Sequence, residues 1–386
     1  MAVRMRDVAR LAGVSEATVS LALSGSPRIS EPTRRRVTEI AHQVGYRPNA
    51  AARSLRTDST RSLGLVITDV ANPFFAELAG QIERNAAAAG YSLVLCNSDE
   101  DPRRQDGYLS SLLAGSRVDG VILVPTSPMT PGIQAAGAAG ANLVVLDRPL
   151  SVRGQGASAS RLRSYPVVRA GAESALADAA ALLAGLGHRR VGFIAPPLDT
   201  LVGQERRDLL VAGLLEHGVL RREIIVRAGD FRRRSGEQVA ERMLAHPRPP
   251  TALVAGDGLM AIGAMQAVRR AGLRIPDDIS LIAFDDAPWF ELLDPPLTAI
   301  GQPVAELAES AVAAMLDLLH GRPPASAYPP CHLVRRASTA PPAHPATSAD
   351  GPPAPPNPPA DPPIDPPTPP GTPPIPPASP PTPTSR

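Results

Sequence analysis

Six charged or aromatic side chains stand at or behind the ends of short apolar runs. They are Phe74, Asp147, Arg206, Phe231, Asp257 and Asp285. Carboxylates and guanidinium groups form paired hydrogen bonds with neighbouring hydroxyls, and an aromatic ring covers an apolar C–H face. This combination predicts a binding site for a small polyhydroxylated molecule, and a sugar fits it best.

Each of these residues also has a purely structural interpretation. A strand-end Asp is often the N-cap of the next helix, and a lone Phe is often core. Ser, His and Asp occur along the chain, but the sequence has no Gly-x-Ser-x-Gly turn, phosphate-binding loop or metal-ligand spacing. We therefore expect a protein without catalysis, metal or cofactor.

The N-terminal residues predict short helices joined by a tight turn at Gly13. The inward positions of the first helix are predicted to be Val8, Ala9 and Leu11. Ser15 is a natural N-cap for a second helix, in which Val19 and Leu23 point inward. The outer face is then Glu16, Ala17, Ser20 and Leu21. With a third helix over 31–44, this arrangement predicts a helix-turn-helix that offers its second helix to the DNA major groove.

Three motifs agree with that prediction: Asp-Val-Ala-x-x-Ala-Gly-Val-Ser-x-x-Thr-Val-Ser over 7–20, Gly-Tyr-Arg-Pro-Asn-Ala over 45–50 and Ala-Arg-Ser-Leu-Arg over 52–56. In order and spacing they resemble the LacI/GalR (lactose-repressor) family of transcription regulators. The resemblance implies that the DNA-facing residues are Ser15, Glu16, Ala17, Thr18, Ser20 and Leu21. Many members carry Arg where this chain has Leu21, which can touch a thymine methyl but cannot donate to guanine.

The resemblance also implies a hinge helix from Asn49 to about Leu55, with Arg53 among its DNA-binding residues. In the family this helix lies in the minor groove, where Leu55 would wedge between base pairs and kink the duplex. It is shorter than the roughly 12–15 residues that an isolated helix needs, so we expect it to form only on DNA. The alternative is an ordinary linker with one helical turn.

Four further motifs match the family: residues 72–75, 187–190, 229–231 and 284–286. By this resemblance Arg206 binds the effector and Phe231 stacks on it. The chain departs from the family at Gly256, usually Asn, and at Leu209, usually Gly. Residues 167–171 also replace the usual Val-x-Asp-Asn stretch. These departures predict either an effector with fewer polar contacts or a site that has drifted from the family's effector site.

The elements that would position these residues alternate between strands and helices. The predicted strands are Leu63–Thr68, Ser92–Cys96, Gly120–Val124, Leu143–Leu146, Val191–Ala195, Ala252–Ala255 and Ser280–Phe284. The predicted helices are Phe75–Ala89, Gln105–Leu113, Ser174–Leu186, Leu209–His217, Gly236–Leu244 and Leu259–Ala271. Strands that are apolar on both faces suit parallel sheets covered on both sides. We expect a periplasmic-binding-protein-like α/β core of two doubly wound halves, with the ligand between them.

The domain organisation follows from these patterns. A helix-turn-helix head spans 1–46, a hinge and linker 47–61, the ligand-sensing core 62–338 and a tail 339–386. Of the 46 residues from 341 onward, 22 are Pro, so we expect a disordered, polyproline-like tail. Residues 151–166, rich in Arg, Ser and Gly, are expected to be a mobile surface insertion.

Charge is distributed unevenly. Residues 1–61 hold 11 Arg against 5 acidic residues, whereas the rest holds 28 Arg against 32. A basic head on a mildly acidic body is typical of a nucleic-acid reader joined to a sensor, although a solvated basic surface would look the same. Two Cys offer no disulfide framework, and no apolar run reaches signal-peptide or membrane-helix length, so we expect a cytoplasmic protein without membrane contact.

These observations predict a regulator that binds palindromic double-stranded operator DNA as a homodimer and responds to a small carbohydrate effector. Two-fold symmetry matches palindromic half-sites, and one head buries too little surface for specific affinity. A sugar-binding transport component with the same core is the alternative, but it would have no use for residues 7–20. An enzyme using the cleft would need a nucleophile–base pair that the sequence does not show.

Overall fold

The computed structural model describes residues 3–23, 26–46, 59–114, 117–151 and 157–343. Its N-terminal part holds α1 (Met5–Ala12), α2 (Glu16–Leu23) and α3 (Glu31–Gln43). Gly13 ends α1 in the left-handed conformation, with φ at 62°. Ser15 accepts the amide of Thr18 at 3.1 Å and so caps α2. The predicted turn and the predicted cap are both confirmed.

The three helices enclose a small aliphatic core. Its buried residues are Val8, Ala9, Ala12, Val19, Ala22, Val37 and Ala41. Leu11, which we predicted to face inward, is 55% exposed, so that prediction is wrong. Residues four apart lie on the same side of a helix, and Ala12 therefore completes the inward stripe that Val8 begins.

The first half of the core is a five-stranded parallel sheet in the order β2-β1-β3-β4-β5. Its strands are β1 (Ser62–Ile67), β2 (Ser92–Asn97), β3 (Gly120–Leu123), β4 (Leu143–Leu146) and β5 (Val167–Val168). The helices along it are α4 (Pro73–Ala88), α5 (Pro102–Leu113), α6 (Pro131–Ala139) and α7 (Ala157–Ser164). Alternate strand residues enter two apolar clusters, one on each face: in β4, Val144 and Leu146 join one, and Leu143 and Val145 the other. The predicted doubly wound half is confirmed.

The second half holds a six-stranded sheet in the order β11-β10-β9-β8-β6-β7. Its strands are β6 (Val191–Ala195), β7 (Ile224–Ala228), β8 (Ala252–Ala255), β9 (Ser280–Phe284), β10 (Thr298–Gly301) and β11 (His332–Val334). The helices along it are α8 (Glu173–Gly185), α9 (Leu201–Glu216), α10 (Arg233–Leu244) and α11 (Gly258–Arg270). Only β11 runs antiparallel to its neighbour in this described sheet. Strands β5, β7, β10 and β11 are not among the predicted strands, because they are short or carry polar residues.

The chain passes between the halves three times. It leaves the first half after β5, returns after β10 to form α12 (Val304–Leu319), and crosses back to add β11. The α12 residues Leu307, Ala311 and Met315 lie in the same apolar cluster as β1 and α4. Each half is therefore built from distant parts of the sequence.

One helix begins well before its predicted start, and one helix lies in a segment that the sequence predicts to be a mobile insertion. The helix predicted over 209–217 begins at Leu201, because Thr200 caps it by accepting the amide of Gly203 at 3.0 Å. The segment 151–166 is not simply a mobile surface insertion, because α7 lies within it and both Leu162 and Tyr165 are 6% exposed. A Cβ at Gly137 would come within 2.8 Å of Leu162, so α6 and α7 pack closely.

Packing continues past residue 338. The imidazole of His188 bonds to Thr251, Ser280 and the carbonyl of Ala340 at 2.9–3.0 Å, and burial lowers its pKa. His188 thus has a structural role, holding three separate segments of the second half together. Most of the Pro-rich tail lies outside the described residues. Among the helices of the described ranges, none is both long enough and apolar enough to cross a bilayer.

Candidate functional site

Asp147 is a largely buried acceptor that the fold leaves available. It follows β4 directly in a left-handed conformation, with φ at 63°, and its side chain is 10% exposed. Burial raises the pKa of its carboxyl group. In the described ranges no donor bonds to this carboxylate, and its ion-pair contact is with Nε of Arg148 at 3.8 Å. Both carboxylate oxygens can therefore serve a ligand.

Arg206 is the corresponding donor. It lies in the second turn of α9, buried, with its guanidinium carbon 3.5 Å from the ring centroid of Phe284. It donates one hydrogen bond, to the carbonyl of Gly256 at 2.8 Å, and forms no ion pair within the described part of the chain. A guanidinium has five N–H donors, so most of its capacity remains. The positive charge of Arg206 lowers the pKa of the Asp147 carboxyl and so partly offsets the larger effect of burial, which raises it.

Asp257 is committed to the fold. It is the N-cap of α11, where Oδ1 accepts the amide of Met260 at 3.0 Å. Its Oδ2 accepts from the side-chain amide of Asn72 in the first half at 3.4 Å. Burial and the neighbouring Asp285 raise the pKa of Asp257 to about 7. The hydrogen bonds of Asp257 therefore agree with the interpretation that a strand-end Asp caps the next helix.

Asp285 is also bonded by its own half. It follows β9 with φ at 70° and is 8% exposed. Oδ1 accepts from the side-chain amide of Gln302 at 2.7 Å, and Oδ2 from the amide of Gly258 at 3.3 Å. Each oxygen keeps a second lone pair, so Asp285 can still accept from a ligand.

Arg148 lies in the cleft but is not among the site residues predicted from the sequence. Its guanidinium forms two hydrogen bonds with Glu100, both 2.7 Å long. The guanidinium carbon lies 4.2 Å from the ring centroid of Phe231, which belongs to the second half. The only sequence signal was its position directly after Asp147 at a strand end.

The two predicted aromatic residues have different surroundings. Phe231 has φ at 65° and meets Arg148 between the halves. Phe74 is 7% exposed and lies in the apolar cluster of the first half, with its ring at an edge to Phe75 and 5.0 Å away. The contacts of Phe74 therefore agree with the core interpretation.

Narrow clefts open between the halves among the described residues. One is lined by residues 125–128, Arg148 and Pro149 from the first half and by residues 200–202 around the start of α9. Another is lined by Phe74 and neighbours at the start of α4, by Asp285 and by the single tryptophan, Trp289. Within the described residues, no cluster of His, Cys, Asp and Glu could hold a metal ion.

The outer face of α2 is open to solvent at its N-terminal end. Ser15, Glu16 and Ala17 are exposed, and Thr18, Ser20 and Leu21 are half-buried. The hydroxyl of Ser15 caps the helix and lies 2.9 Å from the hydroxyl of Thr18, so these two are partly held by the helix itself. The remaining predicted DNA-binding residues, Asn49, Arg53 and Leu55, lie outside the described residues.

Both the N-terminal helices and the α/β core resemble known protein families. Residues 4–49 match the family model described as bacterial regulatory proteins, lacI family, and residues 180–339 match a periplasmic binding protein-like domain. The HTH-type transcriptional repressor CytR of Escherichia coli strain K12 is 33% identical over 341 residues, covering 88% of this chain and 96% of CytR.

Two solved structures extend the likeness to the fold. The Lac repressor dimer bound to operator and the anti-inducer ONPF is 27% identical with a TM-score of 0.75, covering 88% of this chain and all of that one. The complex of the transcriptional regulator CelR with cellobiose is 29% identical with a TM-score of 0.64, covering 87% of this chain and 99% of CelR. These relatives are regulators of transcription. The chain itself belongs to the lacI family of bacterial regulatory proteins.

Proposed function

We propose that this chain is a transcriptional repressor that binds operator DNA through its N-terminal helices and is controlled by a sugar-like effector. One observation carries the proposal: between the halves of a core attached to a helix-turn-helix, Asp147 and Arg206 are buried with hydrogen-bonding capacity to spare. A buried polar group without partners is costly, and a ligand that bonds to it removes that cost. The repressor would work in the cytoplasm, where the DNA is.

The effector site combines one acceptor, one donor and an aromatic face. Asp147 accepts from ligand hydroxyls, Arg206 donates to ligand oxygens and Phe231 covers a C–H face. Asp257 and Asp285 contribute their remaining lone pairs from the second half. A complex of CelR with cellobiose supports a carbohydrate as the class of effector.

The exposed end of α2 would enter the major groove, where Glu16 and Ala17 approach bases and the hydroxyls of Ser15, Thr18 and Ser20 approach phosphates. Leu21 would contact a thymine methyl. The hinge over 49–55 would order in the minor groove, with Asn49 and Arg53 on the DNA and Leu55 as the wedge. Effector binding would change how the halves close and so the spacing of two hinges, which is a population shift between two core states.

A homodimer is part of this proposal. The Lac repressor dimer on operator supports it, because it covers 88% of this chain. The edge strand β2 exposes two large apolar side chains, Val94 and Leu95, which are 40% and 45% exposed. Apolar residues on a sheet edge are typical of surfaces that another subunit covers. We place the subunit contact along β2 and α4.

The decisive experiment is a gel shift with symmetrical duplexes that carry a central CG step, against random duplexes. Full-length protein should prefer a symmetrical duplex, and Leu55→Ala should weaken this specific binding far more than nonspecific binding. Equal preference for all duplexes would refute the proposal.

A thermal-shift screen of glucose, ribose, cellobiose and nucleosides should then find an effector. Arg206→Ala should abolish the thermal shift. The control is Arg322→Ala, which replaces an exposed arginine just after the end of α12 and should leave the shift unchanged. If Arg206→Ala binds the same compound with unchanged affinity, the effector site lies elsewhere.

A further inference from the structure

We infer that Arg148 is an internal occupant of the effector site, which holds the ring face of Phe231 until an effector displaces it. The inference rests on the proposed function, because it concerns the same cleft. The site residues described so far would bind the ligand. Arg148, in contrast, would compete with the ligand for the ring of Phe231.

Contacts with both halves of the core hold Arg148 against Phe231. Arg148 follows β4 in the first half and is 7% exposed, and its guanidinium lies over a ring of the second half at 4.2 Å. Phe231 itself is only 9% exposed. Almost none of the ring is therefore left for a sugar, and an effector that stacks there must first move Arg148.

Glu100 holds Arg148 in this place. Its two hydrogen bonds of 2.7 Å match the flat fork of the guanidinium, the strongest geometry for such a pair. Glu100 and its neighbour Asp99 both have φ at 56°, a left-handed turn that aims their side chains at the cleft. Asp99 receives two bonds from Arg232, at 3.1 and 3.3 Å, so the same turn also holds the residue beside Phe231.

These contacts form a latch between the halves, made of Asp99, Glu100, Arg148, Phe231 and Arg232. Arg148 also lines the cleft formed by residues 125–128 and 200–202, so its guanidinium can move towards that cleft when it leaves the ring. An effector can bind only after the latch has opened. Its apparent affinity is therefore reduced in proportion to the fraction of molecules in which the latch is open.

The test compares two double variants that each replace a bidentate ion pair by amides. Arg148→Gln with Glu100→Gln opens the latch while keeping hydrogen-bonding side chains of similar size. Arg336→Gln with Asp286→Asn is the matched control, because that pair has two bonds of 2.8 Å, similar burial and both partners in the second half. Both are made in the full chain.

The first measurement is hydrogen exchange of the ligand-free protein. In the latch variant, peptides covering 99–101 and 230–232 should exchange about threefold faster or more, because the contact between the halves is lost. The control variant should exchange there as the wild type does. Unchanged exchange in the latch variant would overturn the inference.

The second measurement is calorimetric titration with cellobiose. The latch variant should bind about 3- to 10-fold more tightly than the wild type, the gain expected when a competing internal contact is removed. Weaker binding would show that Arg148 contacts the ligand and would overturn the inference. If no sugar binds wild type or variant while exchange is still faster, the proposed effector class fails and the latch stands.

Discussion

The two sides of the cleft use their carboxylates differently. On the first half, Asp147 accepts no hydrogen bond from the described residues. On the second half, Asp257 caps α11 and Asp285 is held by Gln302 and Gly258. All are strand-end Asp residues, yet Asp147 has both carboxylate oxygens available for a ligand, whereas Asp257 and Asp285 already bond to their own half. Residue type and position are therefore insufficient to identify a ligand contact, whereas the tally of hydrogen bonds separates the two uses.

The largest effect should come from Asp147→Asn. The amide cannot replace both acceptor oxygens, so effector affinity should fall about 10- to 100-fold, which corresponds to losing a hydrogen bond to a charged group. Stability should not fall, because a buried carboxyl with a raised pKa is replaced by a neutral group. Titration and urea unfolding measure the two quantities. If Asp147→Asn lowers the free energy of unfolding by as much as the free energy of effector binding, Asp147 stabilises the fold in the way Asp257 and Asp285 do, and the prediction is wrong.

The second prediction concerns pH. The pKa of Asp257 is about 7 in the folded chain against 3.8 for a free side chain, so the folded state holds this proton more tightly. The contribution of this group to the free energy of unfolding is therefore lost as pH rises through 7, by about 2–3 kcal/mol between pH 5 and pH 8. Urea unfolding across that range should show the decline, and Asp257→Asn should flatten it. A stability that rises with pH in the wild type and equally in the variant would contradict this assignment.

The third prediction separates the cap from the charge of Asp257. Asp257→Ala and Asp257→Asn both remove the charge, but only Asn can still accept the amide of Met260. We expect the Ala variant to be about 1 kcal/mol less stable than the Asn variant. Equal stability by urea unfolding would mean that Asp257 is not held there by its capping role.

The smallest effect should come from Asn72→Ser. Serine keeps the cap that Asn72 provides to the amide of Phe74 and removes its bond to Asp257 in the other half. That bond is 3.4 Å long, near the limit at which such contacts contribute, so stability should change by less than about 0.5 kcal/mol. A larger loss would show that this contact is an important tie between the halves.

Much of the fold could be predicted because its signals are local. The turn at Gly13, the cap at Ser15 and the strands that are apolar on both faces each depend on neighbours within a few residues, and the sequence predicts each of them. Leu11 shows the limit of this reasoning. A helix with several apolar residues allows more than one inward stripe, and only packing against α2 and α3 selects one.

The amino-acid sequence by itself determined the helix-turn-helix, the family and the presence of Asp147 and Arg206 at a predicted cleft. Tertiary structure alone decided that α12 returns to the first half, that Asn72 meets Asp257 across 185 residues of chain, and that Arg148 covers Phe231. The physical reason is that periodicity and capping act between near neighbours. Which buried polar groups find partners depends on side chains that folding brings together from distant positions.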